Sequence, residues 1–447
     1  MEISLHSPKS LILFDDALQQ AIKFAAKNLQ GLPTTIIRDV LGRLRIAIDD
    51  RATEIPEKEW DHLAADLHLQ LGAYSAGESA EEVFLWASKL FAPEALFDAS
   101  ERYEAAEVPG VWILERQVTG NDWLRPQITS ADLPRRRRAT LFGIKGGVGR
   151  STALAVWARY LAVQLQKRVL VIDLDLESPG VGSLLLPPAQ WPRYGLVDYL
   201  TEVAVGQGEA VVPYLGSLSP LGEGGQGQVI VVPAYGAEPG DYLAKLSRLY
   251  QGVPDGPIDF SARLCGALAV LEARYEPDVV LLDSRAGLHD IAAVTLARLN
   301  ALALIFAIGT PQTLTAYRLL LSRFRQQPTL LRALRPNLQV VAGMVPETDR
   351  TAYLGRLKSN MHRLFAENIY DQDTEPGIDG RTDFSLEDRF NFNLDDEDAP
   401  HSPIPIYWYR WFQDFDPVGN PAALSVREID AAFGVYLQRV SSLLLES

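Results

Sequence analysis

The sequence predicts an α/β chain: a mostly parallel, doubly wound sheet flanked by helices, with an additional, mainly helical domain at the N-terminus. Three observations carry that expectation. Residues 139–179 read as strand, glycine-rich turn, amphipathic helix and second strand, which is one complete βαβ unit. Further apolar runs end in Asp283, Ile308 and Met344 without the alternation of a half-wet strand, as parallel strands buried on both faces do. At 447 residues the chain also exceeds one ordinary core, so a second domain is expected.

Composition narrows the function classes. Hydrophobic residues make up 47% and charged residues 22%, the balance of a soluble globular protein. Acidic residues number 57 against 42 basic ones, and the net charge of −15 argues against a broad nucleic-acid surface or adhesion to an anionic membrane. The single cysteine, Cys265, excludes an intramolecular disulfide and suits a reducing, cytoplasmic setting. The first residues read as no signal peptide, and no apolar run approaches the length that spans a bilayer.

Residues 1–133 form the expected N-terminal domain, helix-rich and suited either to binding or sensing a partner or to extending the second domain. Phe14 to Leu29 places Leu18, Ile22 and Phe24 on one stripe, and a further helix is expected from Pro56 through Trp60, Leu63 and Leu67. Ser79 and Glu82 make a capping box ahead of Val83, Phe84, Leu85 and Trp86. Leu44–Ile48 alternates as a strand but also fits a helix end, whereas Val111–Glu115 followed by Trp123 and Leu124 predicts a hairpin. The run Arg135–Arg138 reads as a solvated linker open to pairing with acidic residues elsewhere, in preference to a phosphate-backbone contact, since no aromatic residue interleaves it.

Residues 134–447 carry the chemistry. The turn Lys145-Gly146-Gly147-Val148-Gly149-Arg150-Ser151-Thr152 has what a phosphate cradle requires: glycines for close backbone approach, then a cation, then hydroxyls opening a helix. The next strand, Val169–Ile172, runs into Asp173 and Asp175, which places both acids at the carboxyl end beside the turn. A second acid-tipped strand, Val279–Leu282, ends in Asp283, followed by Ser284, Arg285 and Gly287.

These motifs resemble those of the MinD/ParA family of P-loop ATPases. The Lys-Gly-Gly-Val-Gly turn is similar to that family's deviant Walker A, with Arg150 in place of the usual lysine, and Asp283-Ser284-Arg285-Ala286-Gly287 is similar to its Walker B and switch segment, with Arg285 in place of proline. The resemblance covers Ala139 to about Met344. It implies ATP and Mg²⁺ as cofactors, a homodimer formed on ATP binding, and slow hydrolysis used as a molecular switch. It assigns Lys145 to stabilising charge across the dimer and Asp175 to orienting water. Gly146, Gly147, Val148, Gly149, Arg150, Ser151 and Thr152 would bind the nucleotide, with Pro311 of the Gly309-Thr310-Pro311 turn near it. Ser151 and Asp283 would hold Mg²⁺, and Asp173 would support the ion through water or hold its own loop. Arg285 reads as a surface ion pair in preference to a phosphate contact. Met344 stands near the position where the family often has an adenine-reading asparagine.

The N-terminal domain suggests a regulator in a multi-protein system, such as a bacterial defence module, with an unidentified protein partner bound through that domain. A nucleotide-stabilised scaffold without turnover, and a ParA-type ATPase that partitions cargo or DNA, are the alternatives. A tyrosine kinase built on the same loop would carry a tyrosine-rich tail, which the terminal residues lack.

The remaining stretches are read more plainly. Gly222–Gly227 is expected to be a flexible tip, not a second phosphate loop, because a strand follows it. An acidic insertion near 371–401 reads as mobile, its Asp395–Asp398 run as solvated in preference to a metal site. The aromatic run Ile404–Phe415 is expected to pack in the core or at a domain interface, with a partner surface second. The closing helix, Ser425–Leu445, is expected to dock on the core, because few basic residues equip it for a membrane.

Overall fold

The computed structural model describes residues 12–52, 60–99, 101–105, 108–117, 120–123, 125, 137–250, 259–371 and 389–446. The chain divides into two compact units, Met1–Pro126 and Gln127–Ser447. The boundary expected at 133/134 lies outside the described residues.

The N-terminal unit is organised by a sheet. Its strands are β1 (Thr34–Arg38), β2 (Leu44–Ile48), β3 (Phe84–Trp86), β4 (Tyr103–Glu104) and β5 (Val111–Glu115), in spatial order β3-β2-β1-β5-β4. β1 and β2 form a hairpin in which Gly42 takes φ +88°, and the Asp39 carboxylate accepts the Leu41 and Arg43 N–H groups at 2.9 Å. Leu44–Ile48 is therefore a strand. β5 pairs with β1 in parallel and β4 antiparallel, so the expected hairpin with Trp123 does not form; Asn121–Trp123 is a 3₁₀ turn. Helices Phe14–Asn28 and Trp60–Leu71 cover one face through Phe24 and Leu67 against Ile36 and Ile46, while Phe97 packs with Ile37, Ala47 and Leu114. The capping box at Ser79 holds a single turn, Ala80–Val83, after which the chain extends into β3. Pro56 lies outside the described residues.

The C-terminal unit is an α/β sheet of eight strands: β6 (Arg137–Gly143), β7 (Arg168–Leu174), β8 (Ser217–Leu218), β9 (Gln228–Val232), β10 (Val279–Ser284), β11 (Leu302–Ala307), β12 (Leu338–Val345) and β13 (Ile404–Tyr407). Their order is β13-β12-β11-β6-β10-β7-β9-β8, and every neighbouring pair is parallel except β8 with β9. The chain runs from β6 past β10 to β7 on one side and later from β10 across β6 to β11 on the other, which opens a crevice at the carboxyl end of β6, where such sheets take ligands.

Helices cover both faces. Arg150–Val163 and the closing helix Val426–Leu445 share one core, where the Trp157 indole N–H donates to the Ser441 hydroxyl at 2.9 Å. Leu196–Ala204 and Phe260–Tyr275 share the other. The closing helix docks on the core, as its apolar stripe predicts.

Three expectations need correction. Arg137 and Arg138 are not linker but the start of β6, and buried Arg138 makes a two-pronged ion pair with Glu272, both contacts at 2.7 Å. Gly225 and Gly227 are no free tip: an added Cβ would stand 2.7 Å from Val163 Cα and 2.4 Å from the Ala162 carbonyl, so their lack of a side chain seats this stretch on the helix end. Part of the acidic insertion within the described residues is packed, while Asp395, Glu397 and Asp398 of its acidic run are exposed. Phe390, Phe392, Tyr370, His362 and His401 stack on one another, and Arg335 pairs with Asp371 at 2.5 Å. Residues 372–388 lie outside the described set. Among the described residues no cluster of histidine, cysteine and acids is placed to hold a metal ion. The aromatic run supplies β13, and Tyr407 and Tyr409 lie 4.5 and 5.6 Å from the Arg350 guanidinium.

Candidate functional site

The site forms where β6, β7 and β10 end side by side. After β6 the chain turns through Gly147 and Gly149, with φ of +73° and +84°, a region that glycine alone enters without strain. Gly149 then starts the helix Arg150–Val163. Added Cβ atoms at Gly146 or Gly147 would meet nothing within 4 Å, so the loop backbone faces open space. Its rear is closely packed: a Cβ on Gly343 would stand 2.4 Å from the Val148 carbonyl oxygen. The Tyr317 hydroxyl accepts the Ile144 N–H at 3.2 Å and donates to the Phe306 carbonyl at 2.6 Å, tying the loop to β11.

Three sequence-distant residues meet beneath this loop. The Ser151 hydroxyl donates to Asp283 Oδ2 at 2.8 Å. Asp283 Oδ1 is buried and has no hydrogen-bond partner among the described residues. Burial pushes the Asp283 carboxyl up to about 6, against the pull of Arg150 and the Ser151 hydroxyl. Asp173 accepts the Asp175 N–H at 3.1 Å and the Gly180 and Val181 N–H groups at 3.2 Å, which ties down its own turn. Burial first and the Asp283 charge second push Asp173 up to about 8.

Arg150 turns inward. Its guanidinium donates to the Ser284 carbonyl and stands 3.6 Å from Asp175, with the side chain only 8% exposed. Burial raises Asp175 above the usual carboxylate range, opposed by Arg150 and Arg285. Lys145 is exposed, and Pro311 opens the helix Pro311–Phe324, whose Tyr317 is the residue that reaches the loop. Arg150, Ser151, Asp173, Asp175 and Asp283 are thus brought together, while Lys145 and Pro311 stay on the surface. Thr152 is half-buried in the helix's first turn.

The donor set fits a phosphate with a hard cation. A hydroxyl and a carboxylate at contact distance, the latter with a spare buried oxygen, offer the oxygens Mg²⁺ selects, and the glycine backbone and helix N-terminus suit phosphate.

Solved structures similar to this chain include ParA-type ATPases. The structure of pNOB8 ParA bound to nonspecific DNA is 17% identical, with 69% of this chain and 98% of that one covered at a TM-score of 0.39. A ParA family ATPase from Chlorobium tepidum is 15% identical, covering 53% and 85% at 0.34. An ATP complex of a Cyanothece McdA variant is 14% identical, covering 50% and 80% at 0.32. No protein-family model and no curated protein matches the chain.

Several residues of the site escape a reading of motifs. Glu177 receives Arg285 at 2.7 Å and the Tyr250 hydroxyl, with His289 Nε2 at 3.5 Å. Arg285 therefore sits in the ion pair expected of it. The available signal was the acid spacing Asp173, Asp175, Glu177, which continues one step past the pair of aspartates. Tyr317 and Gly343 carry no local signal, because their roles depend on contacts from other strands.

Proposed function

We propose that the chain is a MinD/ParA-like P-loop ATPase that binds ATP with Mg²⁺, dimerises in that state and hydrolyses slowly, so that nucleotide occupancy is its output. The observation that carries this reading is the Ser151–Asp283 contact at 2.8 Å, with an Asp283 Oδ1 that is buried and unpartnered among the described residues beneath an open glycine loop. The backbone N–H groups of Gly146 to Ser151 would hold the phosphates, and the helix N-terminus adds favourable charge. Ser151 and Asp283 would hold Mg²⁺, which when bound offsets phosphate charge and fixes its geometry. Asp173 keeps its turn in place, and from that turn Asp175 would orient the attacking water. Exposed Lys145 is available to a second copy's nucleotide. Positioning and charge supply the chemistry, with no covalent step by the protein.

Binding of a fluorescent ATP analogue, with and without Mg²⁺, tests the reading in wild type and Ser151→Ala. Mg²⁺-dependent binding that Ser151→Ala weakens supports it; binding indifferent to both contradicts it.

The scaffold without turnover is favoured by one observation. Arg150 is committed inward to Ser284 and Asp175, leaving Asp175 paired where the switch reading needs it to hold water. Turnover that is lost in Asp175→Ala decides against the scaffold. The N-terminal unit is proposed to bind a protein partner. DNA or cargo partitioning by a ParA-type mechanism is the further alternative, which the acidic balance disfavours.

A further inference from the structure

We infer that Glu177 is a positioning residue that clasps the segment after β10 to the turn carrying Asp175; this rests on the ATPase reading of the site. The two arginines that break the expected motifs, Arg150 and Arg285, stand at different places in the chain, yet their acidic partners lie two residues apart on one turn. Arg150 faces Asp175 at 3.6 Å, and Arg285 faces Glu177 at 2.7 Å. One Glu177 oxygen gathers three groups: Arg285, the Tyr250 hydroxyl and, at 3.5 Å, His289 Nε2. Tyr250 and His289 stack edge to face at 4.9 Å, which closes the cluster from a third element. Among the described residues Glu177 Oε2 is buried with no hydrogen-bond partner, and its other oxygen gathers the contacts that hold the carboxylate.

What the clasp holds is the segment Arg285–His289. Upstream, Asp283 meets Ser151, and the Arg150 guanidinium grips the Ser284 carbonyl. Within it, Gly287 takes φ +88° and its N–H donates to the Gly143 carbonyl at 3.2 Å, at the start of the phosphate loop. Downstream, His289 begins the helix Asp290–Ala293, which continues into a π-helical turn, Val294–Arg298, pinned by a 2.9 Å contact between the Thr295 and Ser284 hydroxyls. The segment is anchored at both ends, and its middle is fixed to the Asp175 turn through Glu177. No hydrogen bond or ion pair joins Glu177 or Arg285 to Ser151 or Asp283; the pair sets where Asp175 stands relative to the loop. An ion pair with three converging donors and partial burial does this more firmly than an isolated surface pair.

The test uses the full chain with Glu177→Gln, Arg285→Gln and the double variant. ATP turnover and affinity are measured together with amide hydrogen exchange across residues 284–298. Each single variant is expected to lower kcat on the order of tenfold while the nucleotide Kd stays within about twofold, the mark of lost positioning. The double variant should be no slower than either single one, since both remove one shared contact. Both singles should speed exchange in 284–298. Multiplicative losses in the double variant, or a weakened Kd with unchanged kcat, overturn the inference. A wild type that binds ATP but does not turn it over refutes the hydrolytic reading, and the exchange data then decide the clasp: unchanged exchange in Glu177→Gln overturns it. Tyr250→Phe, which keeps the ring, is the second variant if Glu177→Gln fails to fold, and it should produce the same exchange change in smaller degree.

Discussion

Ser151 donates to Asp283 at 2.8 Å across 132 residues of chain, joining the first turn of a helix to the carboxyl end of a strand. The contact exists because β10 lies directly against β6, with Asp283 opposite Leu141 in register. That register delivers the carboxylate to the underside of the loop that follows β6.

Removing the Ser151 hydroxyl takes one oxygen from the proposed cation shell and leaves the Asp283 carboxylate with less to hold it. Ser151→Ala should weaken Mg²⁺-dependent nucleotide binding by roughly ten- to a hundredfold, with little change in binding without Mg²⁺. Titration calorimetry in Mg²⁺ and in chelator reads both.

Gly343 sits behind the loop, with room for no side chain. Gly343→Ala places a Cβ 2.4 Å from a backbone oxygen of Val148, so either β12 or the loop must move. The variant should lose about 1–3 kcal/mol of stability. Its nucleotide affinity should fall as well, which thermal melts with and without ATP–Mg²⁺ would separate.

Arg138 and Glu272 are both buried and paired two-pronged at 2.7 Å. Glu272→Ala removes both 2.7 Å contacts and the carboxylate that faces a buried guanidinium, and should cost about 3–5 kcal/mol, whereas Arg138→Met with Glu272→Leu should cost far less. Urea unfolding of the three proteins checks the ordering.

The site carboxyls give the ligand-free protein a pH dependence of definite sign. Folding raises Asp283 to about 6 and Asp173 to about 8 from an ordinary 3.8, so the folded chain binds more protons than the unfolded one between those values. Their contribution to stability is complete below pH 3.8 and is lost as the pH rises through 6 and 8. Asp283→Asn should therefore melt higher than wild type at pH 8 without ligand, and the gap should close toward pH 4. A constant gap across that range would show that the charge is not the cause.

The parts of this architecture legible in the sequence are those in which neighbouring residues carry the signal. The glycine turn, the apolar strands tipped by Asp173 and Asp283, and the stripe of the closing helix all read correctly. Strand β1 did not, because Thr34–Arg38 is buried along its whole length and shows no alternation to betray it. The N-terminal unit was accordingly expected to be mainly helical when a five-stranded sheet organises it. Arg138 was expected to meet an acid elsewhere, but not from inside a strand: a run of like charges looks solvated, and only the fold brings Glu272, 134 residues away, to it in the interior. Arg150 and Arg285 were legible as departures from a pattern, but their partners on the Asp175–Glu177 turn were not.

The most direct test of the account is molecular mass by light scattering without nucleotide, with ADP, and with ATP and Mg²⁺, for wild type and Lys145→Ala. ATP–Mg²⁺ alone is expected to convert monomer to dimer in the wild type, and Lys145→Ala is expected to remain monomeric. A mass that ignores nucleotide, or a dimer under every condition, would contradict it.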